Sequence, residues 1–473
     1  MIFRQILHDD LGCASYLVGD ERAGVAAVVD PRLEIGVYLD TARYLGVRIT
    51  DIFETHNHAD HVSGHGRLAA ATGAAIHIHR LVAPEFDHVP FEDGEEWAIG
   101  GVRIRALHTP GHRPEHTAFV VADTHRSAEP WAVLTGDTLF VGDVARPDLA
   151  VEKTEGARGI FASLRTLLSL PDHVEVWPGH IGGSMCGGPG MDMKVASTIG
   201  FERAHNPMLS IADEEAFVEA ALAGLRPQPP NFRAIVDLNH GPLLTGAALS
   251  PPLDADAVAA AVVGGARLVD LRPEDAFAAG HLAGAISIPI VRAGFGTKVA
   301  WVAADAPAIV FVGGSDPAAA GDGPLAATLA AAVGLARAVE AGGHLAGGVD
   351  AWTASGRPLE MLTLLPVDDL AALLLARPEA QVLDCREQAD WARSHLPGSV
   401  CVPWYEIDAI PACVDPGRPI AVICGSGQRA GTAASLLQRF GAREVIHVTD
   451  GGVPKWGRLG HPLTACVDAP LAV

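Results

Sequence analysis

The sequence predicts a multidomain α/β protein, and three observations support this fold class. The chain has 473 residues, enough for about three domains of ordinary size. Short apolar runs typical of strands alternate with small-residue stretches typical of helices along the whole chain. In the second half, matching residues recur at a constant spacing, and the recurrence of Asp270 as Asp384 sets that spacing at 114 residues. We therefore expect one domain in the first half and two related domains in the second.

The composition argues against several classes of protein. The formal net charge is -22, which disfavours binding to nucleic acid or to an anionic membrane. No apolar run reaches the roughly 18 residues of a membrane span, and residues 1–10 lack the pattern of a signal peptide. The seven cysteines are dispersed without a CxxC pair, which favours reduced thiols over a disulfide framework. These features predict a cytoplasmic enzyme.

The first half opens with elements that lead into a loop. Residues 13–18 and 24–29 read as strands, residues 36–44 as a helix, and residues 49–53 as a short buried strand. A small-residue helix is predicted over residues 64–72. The residues between this strand and this helix therefore form a strand-to-helix loop, where ligands commonly converge.

That loop is rich in side chains that bind metals. It carries His56, His58, Asp60 and His61, which are three imidazoles and one carboxylate within six residues. Neutral imidazole is the commonest protein ligand for transition metals. The first two histidines alternate on an extended segment and the other two residues fall at the helix start, so all four can point into one cavity. The pattern therefore predicts a metal site.

Three later strands end in a further residue of this kind. His112 and His180 each follow a strand and a Pro-Gly turn, and Asp137 follows a strand and a glycine. His108 and His116 are weaker candidates, because a histidine beside a strand end is more often packed behind the ligands. The candidate ligands are therefore His56, His58, Asp60, His61, His112, Asp137 and His180.

The order of these motifs resembles the metallo-β-lactamase superfamily. An HxHxDH sequence is followed by Pro-Gly-His, Gly-Asp and a second Pro-Gly-His, and the resemblance covers about residues 1–245. It implies an αββα sandwich with the metal at one edge of the two sheets. Because this superfamily hosts unrelated chemistries, the fold alone does not identify the reaction.

The sequence around the ligands resembles the persulfide dioxygenase branch of that superfamily, over residues 136–149 and 179–187. The resemblance implies one non-haem Fe(II) held by His56, His112 and Asp137. Two histidines and one carboxylate leave open positions for a thiolate-type sulfur and for dioxygen. The other four candidates would then support the ligands without contacting the metal: His58, Asp60, His61 and His180.

Several roles at this site stay open. The same seven residues could hold two zinc ions in a thioester hydrolase of the glyoxalase II kind. Arg146 could receive a substrate carboxylate, or it could pair with Asp148. Cys186 lies in a Gly-rich loop near His180, where it could meet incoming sulfur or be a small buried cysteine. Cys13 is interpreted as a buried strand residue.

The second half begins after a linker. A helix is predicted over residues 201–225, and residues 242–252 have the Pro-, Gly- and Ala-rich composition of a domain boundary. Beyond it, each repeat alternates short strands with Ala-rich helices, which predicts doubly wound α/β domains with mainly parallel sheets. Both repeats resemble rhodanese domains, with boundaries at 251–360 and 361–473.

The second repeat carries a loop suited to a nucleophile. The strand 420–423 runs into Cys424, and a helix follows over residues 430–440. Backbone N–H groups and the positive helix end would lower the pKa of Cys424 and stabilise a thiolate or persulfide. The loop resembles the six-residue loop of sulfurtransferases, whereas phosphatases of related fold use a loop one residue longer. The resemblance implies that Cys424 and Arg429 are catalytic, and that the residues between them bind substrate: Gly425, Ser426, Gly427 and Gln428.

The first repeat lacks these features. The strand 309–312 is followed by residues 313–317, which contain neither a cysteine nor a closing arginine. We therefore expect no sulfurtransferase activity there and interpret this domain as a spacer or docking surface. Cys385 and Cys401 lie in strand-like contexts and are interpreted as packing residues.

The two halves point to one substrate class, sulfane sulfur. The sequence predicts a persulfide dioxygenase fused to a sulfurtransferase. Its expected partners are a low-molecular-weight thiol persulfide, O2, and sulfite or thiosulfate, and its expected assembly is a homo-oligomer. One alternative is a dizinc thioester hydrolase with an accessory sulfur carrier. Another is a non-catalytic metal sensor whose rhodanese pair delivers sulfur to a partner protein.

Overall fold

A computed structural model describes residues 1–8, 12–182, 184, 186–188, 190–223, 225–246, 250–290, 294–314 and 341–466. These residues form two compact units, Met1–Ala247 and the chain from Ala248 onwards. Residues 315–317 of the first repeat's loop lie outside the described residues.

The first unit contains two six-stranded sheets. Strands of the first sheet follow one another in chain order: β1 (Ile2–His8), β2 (Cys13–Asp20), β3 (Val25–Val29), β4 (Arg48–Phe53), β5 (Ala75–His79) and β6 (Val89–Phe91). The second sheet runs in the same way from β7 (Glu96–Ile99) through β8 (Val102–His108), β9 (Thr117–Asp123), β10 (Ala132–Gly136) and β11 (Glu175–Pro178) to β12 (Ser197–Thr198). Helices of this unit are α1 (Gly36–Leu45), α2 (His65–Thr72), α3 (Lys153–Leu167), α4 (Ile199–His205), α5 (Glu214–Ala223) and α6 (Phe232–His240).

Alternation along the strands of the first sheet creates two apolar faces. Successive side chains of a strand point to opposite faces, so neighbours in sequence enter different cores. Tyr16 and Val18 of β2 pack with Phe119 of the second sheet, between the two sheets. Leu17, which lies between them in sequence, packs with Tyr38 of α1 on the outer face. This strand is therefore buried on both sides.

A third apolar cluster covers the other outer face. Val133 of β10 and Val176 of β11 pack against Ile160 and Leu164 of α3. The layers are thus helix, sheet, sheet and helix, which confirms the predicted αββα sandwich.

None of the helices in the described part of the chain has the length and apolar character needed to cross a bilayer.

The single helix predicted over residues 201–225 is wrong. The chain instead forms α4, a short 3-10 helix (Met208–Ser210) and α5. The break follows Asn206, which is extended with ψ 119°, and Pro207 cannot donate a backbone hydrogen bond to continue α4. The missing N–H of Pro207 therefore ends the helix, although the segment as a whole has a helix-favouring composition.

The second unit contains two five-stranded sheets, one for each repeat. The first has the order β13 (Pro252–Leu253), β17 (Ala341–Leu345), β16 (Ile309–Val312), β14 (Arg267–Asp270) and β15 (Ile286–Ser287). The second has the order β18 (Thr363–Pro366), β22 (Val445–Thr449), β21 (Ile420–Ile423), β19 (Gln381–Asp384) and β20 (Val400–Cys401). Helices described here are α7 (Ala255–Val263), α8 (Glu274–Ala279), α9 (Phe295–Val302), α10 (Gly348–Ala354), α11 (Val367–Ala376), α12 (Gln388–Arg393), α13 (Gln428–Arg439) and α14 (Val453–Arg458). All strand pairs in both sheets are parallel, as the sequence predicts.

The residues that define the repeat have a structural role. In the second repeat, Arg386 donates to Asp384 at 2.7 Å and to the Ser394 carbonyl at 2.6 Å, which ties the end of β19 to the chain after α12. In the first repeat, Arg272 makes the same bond to Asp270 at 2.7 Å. Arg272 also donates to the Gly280 carbonyl, so in both copies an additional hydrogen bond offsets the desolvation of the buried ion pair.

Candidate metal centre and sulfur-carrier loop

The predicted metal loop lies between β4 and α2, and its ligand-type side chains are buried. His56, His58, Asp60 and His61 are each at most 4% exposed. The structure separates these four residues into different groups. His56 joins His112 and Asp137, whereas the others contact carboxylates or cysteines.

One ligand-type atom from each of His56, His112 and Asp137 converges on a common point. These three atoms lie within 4.8 Å of one another, and His112 Nε2 is 3.5 Å from Asp137 Oδ2. All three atoms, His56 Nε2, His112 Nε2 and Asp137 Oδ2, are buried and lack a hydrogen-bond partner among the described residues. An unsatisfied buried polar atom costs about 1–3 kcal/mol, so such atoms normally have a ligand.

Hydrogen bonds on the far side of each histidine fix its tautomer. The Thr55 hydroxyl donates to Asp30 Oδ2 at 2.9 Å, so its oxygen is left to accept from His56 Nδ1, also at 2.9 Å. His112 Nδ1 lies 3.0 Å from the Arg146 carbonyl oxygen, to which only an N–H can donate. The proton of each ring therefore sits on Nδ1, and each Nε2 presents a lone pair to the converging point.

Electrostatics favours the ligand form of all three groups. Burial lowers the pKa of His56 and of His112, so both rings are neutral near pH 7. Burial alone would raise the pKa of Asp137, but the charge and hydrogen bond of His180 outweigh it and hold that pKa below its usual range. Two neutral imidazoles and one carboxylate are the donor set of mononuclear iron oxygenases. The residues present therefore fit a metal ion.

A second group beside this centre is joined by mutual hydrogen bonds. His180 bridges the two groups, because its Nδ1 lies 2.8 Å from Asp137 Oδ1 and its Nε2 lies 3.0 Å from Asp60 Oδ2. Asp60 Oδ2 also accepts from the Cys13 thiol at 3.0 Å, and Asp60 lies 3.1 Å from His61 Nδ1. Cys13 is a buried strand residue, as predicted, and its thiol also contacts a candidate ligand.

His58 lies between two carboxylates. Its Nε2 is 3.1 Å from Asp30 Oδ1 and 3.2 Å from Glu54 Oε2. Burial disfavours the charged ring, but these two carboxylates outweigh burial and raise the pKa of His58 well above its usual value. Its Nδ1 is buried and has no hydrogen-bond partner among the described residues, so His58 can still offer this nitrogen to a metal.

His116 positions the ligand Asp137 through the backbone. The Asp137 N–H donates to His116 Nε2 at 2.8 Å, which leaves the His116 proton on Nδ1, near Thr109 Oγ1 at 2.9 Å. Gly136 makes this approach possible, because its φ is +48° and an added Cβ would lie 2.6 Å from His116 Nε2. Burial lowers the pKa of His116 to about 3, so the ring remains the neutral acceptor that the backbone N–H requires.

Asn239 of α6 holds the metal loop, and sequence reasoning missed it. Its Nδ2 donates to the carbonyls of His58 and His61 at 3.1 and 2.9 Å, and its Oδ1 accepts from Ser63 N at 2.8 Å. Asn239 is about 180 residues from the loop in sequence, and a single asparagine in an amphipathic helix has no local signal for such a role.

We expect Asn239→Ala to lower the free energy of unfolding by about 1–3 kcal/mol, because it leaves three buried backbone groups of the metal loop unsatisfied. Metal affinity should fall with it, since the loop loses its anchor. Thermal unfolding with and without added metal measures both effects. Leu238→Ala, at a 39% exposed position on the same helix, is the control and should change little. Equal stability of the two variants would contradict the anchoring role.

Arg146 and Cys186 lie next to the centre. The Arg146 guanidinium pairs with Asp148 at 2.7 and 2.9 Å and donates to the Arg226 carbonyl, which matches the second of the two interpretations of this residue. Its own carbonyl orients His112. Cys186 is 1% exposed, and burial raises the pKa of its thiol to about 12. Cys186 is therefore a neutral thiol near Asp60 and His180.

The second unit places Cys424 at the end of β21, where the predicted loop begins. The Gly427 N–H donates to Cys424 Sγ at 3.1 Å. A hydrogen bond from Cys385, more than any other contact, lowers the pKa of Cys424 well below its usual value. Backbone N–H groups at Ser426 and Ala430 and the charge of Arg429 act in the same direction, against the opposing effect of burial. Together these contacts favour the thiolate form of Cys424.

The first repeat keeps the backbone of this loop without its nucleophile. Val453 N donates to the Cys424 carbonyl at 2.9 Å, and Val349 N makes the corresponding bond to the Gly313 carbonyl at 3.1 Å. Gly313 therefore occupies the position of the cysteine. The loss of activity expected for this repeat remains a prediction.

The first repeat also contacts the helix that begins at the Cys424 loop. Thr432 on α13 donates to the Ser287 carbonyl of β15 at 2.9 Å, and the Ser435 hydroxyl accepts from Ser287 N at 3.0 Å. Arg439 donates to the Gly284 carbonyl at 3.1 Å. One repeat thus packs against the helix that follows the Cys424 loop of the other.

Comparison with known proteins agrees with this architecture. The profile of the metallo-beta-lactamase superfamily matches residues 8–180, and that of the rhodanese-like domain matches residues 254–355 and 367–459. A crystal structure of a metallo-beta-lactamase from Staphylococcus aureus subsp. aureus COL aligns with a TM-score of 0.63 and 27% identity. The alignment covers 73% of this chain and 98% of that one.

Two curated relatives differ in their described reactions. The hydroxyacylglutathione hydrolase of Rhodospirillum rubrum is 38% identical over 171 residues, which cover 35% of this chain and 60% of that protein, less than two thirds of its length. The mitochondrial persulfide dioxygenase of Bos taurus is 28% identical over 243 residues, which cover 50% of this chain and 87% of that protein. The chain belongs to the metallo-beta-lactamase superfamily and carries two rhodanese-like domains after its metal-binding domain.

Proposed function

We propose that this protein is a persulfide dioxygenase fused to a sulfurtransferase. The first unit would oxidise a low-molecular-weight thiol persulfide with O2 to sulfite, and Cys424 would transfer sulfane sulfur to or from thiosulfate. The observation that carries the proposal is the convergence of three buried, unpartnered ligand atoms from His56, His112 and Asp137. The similarity to a persulfide dioxygenase over 87% of that protein's length supports it.

His56, His112 and Asp137 would hold one Fe(II). The bound ion supplies positions at which a sulfur ligand and dioxygen can bind together. Thr55, the Arg146 carbonyl and His180 orient the three ligands through hydrogen bonds on their far sides. Such outer hydrogen bonds preserve ligand geometry and metal affinity.

Sulfur transfer in the second unit needs only residues of the chain. The Cys424 thiolate attacks the outer sulfur of thiosulfate, the S–S bond breaks, and sulfite leaves with the bonding electron pair. Cys424 then carries a persulfide, whose negative charge the N–H groups of Gly427, Ser426 and Ala430 can stabilise. The reverse reaction makes thiosulfate from sulfite. Sulfite is thus a product of the first unit and a substrate of the second.

A dizinc thioester hydrolase is the second candidate function. The 38% identity to a hydroxyacylglutathione hydrolase favours it, and Asp60, His61 and His180 lie beside Asp137, where a second ion would bind. Against it, the unpartnered ligand atoms of His56, His112 and Asp137 converge as two imidazoles and one carboxylate, which is the donor set of a mononuclear iron site. Metal content separates the two candidates.

We expect the full chain, purified without oxygen, to contain a single iron and to consume O2 when supplied with a persulfide. Metal analysis of the protein and an oxygen electrode measure the two quantities. Persulfides of glutathione and of coenzyme A serve as probes, and the corresponding thioesters as controls.

Two tightly held zinc ions with thioester hydrolysis, and no oxygen uptake, would contradict the dioxygenase and favour the hydrolase. A metal-loaded chain that turns over neither persulfide nor thioester would contradict both and favour a sensor.

A further inference from the structure

Cys385 and Cys424 occupy neighbouring positions in one sheet. Strands β19 and β21 are parallel, and their last paired residues are Asp384 and Ile423. The next residue of each strand is a cysteine, and Cys385 N donates to the Ile423 carbonyl at 2.9 Å, so the register continues up to the pair. Neighbouring strands lie about 4.8 Å apart. The Cα atoms of a disulfide lie about 4.4–6.8 Å apart, so this spacing suits one.

The two cysteines also share one buried apolar cluster. Both are 0% exposed, and they lie in the same core of the second unit. Burial and the neighbouring Cys424 raise the pKa of Cys385 well above its usual value, whereas the pKa of Cys424 is lowered. The arrangement pairs one charged sulfur with one proton-bearing sulfur, away from solvent.

The first repeat shows that the sheet does not require a cysteine here. Leu271 occupies the position of Cys385, and its N–H donates to the Val312 carbonyl at 2.8 Å, as Cys385 does to Ile423. Leu271 is 1% exposed and lies beside Gly313, which replaces the nucleophile. Within this chain, the neighbouring cysteine is present in the repeat that has the nucleophile and absent from the repeat that lacks it.

We propose that Cys385 resolves the persulfide on Cys424, forming a Cys385–Cys424 disulfide and releasing hydrosulfide. The proposal rests on the proposed function of Cys424 as a sulfur acceptor. It departs from the interpretation of Cys385 as a packing residue. The Cys424 persulfide, which we call the loaded state, would then react in either of two ways: it transfers its sulfur to sulfite, or it forms the disulfide.

The step is balanced without an external oxidant. Cys385–SH and Cys424–S–S⁻ give the Cys385–S–S–Cys424 disulfide and HS⁻. The bond between Cys424 Sγ and the outer sulfur breaks, and the outer sulfur leaves with the electron pair. The Cys385 proton passes to this leaving sulfur, and a bond forms between Cys385 Sγ and Cys424 Sγ. The outer sulfur is thus reduced to hydrosulfide while the Cys385 sulfur is oxidised to the disulfide level.

The consequence is that the Cys424 loop forms a disulfide when no sulfite is available to accept the sulfur. A loaded chain that meets sulfite makes thiosulfate and returns to the thiolate. A loaded chain without sulfite loses its sulfur as hydrosulfide and forms the disulfide. A low-molecular-weight thiol reduces this disulfide by thiol–disulfide exchange and restores both cysteines.

The test loads the full wild-type chain with thiosulfate. Sulfite released in the first turnover reports sulfur uptake by Cys424. After excess thiosulfate is removed, released sulfide is measured with time, and peptides are mapped under non-reducing conditions. We expect one hydrosulfide per loaded chain and a peptide that links Cys385 to Cys424.

Two variants and one control isolate the role of Cys385. Cys385→Ser and Cys385→Val should release the same total amount of sulfite on loading, but more slowly, because Cys385 helps to lower the pKa of Cys424. Both variants should then keep the persulfide and release no sulfide. The valine variant serves if serine disturbs the buried site, and the linked peptide in wild type requires no variant. Cys401→Ser is the control, because Cys401 pairs with Asp384 on the opposite side of β19 and should behave as wild type.

Each outcome separates the two proposals. Absence of the sulfite burst in wild type would overturn the acceptor role of Cys424, and this inference with it. A normal burst followed by an equally long-lived persulfide in wild type and in both Cys385 variants would overturn the disulfide alone. Sulfane sulfur mapped on Cys385 would also overturn it, since that result indicates a relay.

Discussion

Asp137→Ala should leave the chain without bound iron and without oxygen uptake on a persulfide. The substitution removes the only carboxylate of the converging group, and two imidazoles alone do not hold Fe(II) firmly in water. Metal analysis after purification without oxygen gives the first result, and an oxygen electrode gives the second. Sulfite release from thiosulfate, which reports Cys424, should be unchanged, because Cys424 lies in the other compact unit.

His180→Ala is the matched comparison for this prediction. His180 contacts Asp137 at 2.8 Å but contributes no atom to the converging group. Iron should largely remain, with affinity or activity reduced by about 10–100-fold, the usual effect of losing an outer hydrogen bond to a ligand. Loss of metal from both variants to the same extent would contradict the mononuclear site, because His180 would then be a ligand as well.

Cys424→Ser should abolish thiosulfate formation and cleavage. A serine hydroxyl is a poor nucleophile at neutral pH and cannot carry sulfane sulfur, whereas Cys424 is held as a thiolate by Cys385, the loop N–H groups and Arg429. Gly313 offers no replacement in the first repeat. Oxygen uptake with a supplied persulfide should continue, so the products should shift from thiosulfate towards sulfite.

Sulfite and thiosulfate measured side by side check this expectation. Cys413→Ser, at an exposed cysteine, is the control and should leave both products unchanged. Undiminished thiosulfate in Cys424→Ser would mean that another residue carries the sulfur. Cys186 would be the first to test, since it lies near the metal centre.

Sequence patterns predicted the fold because the determining signals are local. Alternation of apolar residues specifies which strand faces enter a core, and the spacing between Asp270 and Asp384 reveals the two rhodanese-like domains. A break such as the one at Pro207 is also local, and it was missed because helical composition outweighed a single proline.

The candidate ligands were predictable for a related reason. Strand ends collect side chains at one edge of a sheet, so a ligand-type residue after each of several strands indicates a common site. The same logic placed Cys424 at the start of a helix, where backbone N–H groups stabilise a thiolate. In both cases the residue type and its position along one element carry the information.

The sequence by itself determined the metallo-β-lactamase-like and rhodanese-like folds, and it predicted seven candidate ligands and a nucleophile in the second repeat. Only the tertiary structure divided that set, because the division depends on which side-chain atoms converge. Nε2 of His58 lies against Asp30 and Glu54, whereas Nε2 of His56 converges with atoms of His112 and Asp137. The proximity of Cys385 to Cys424 also depends on the tertiary structure. Strand register joins residues that are far apart in the chain, and no local pattern records that contact.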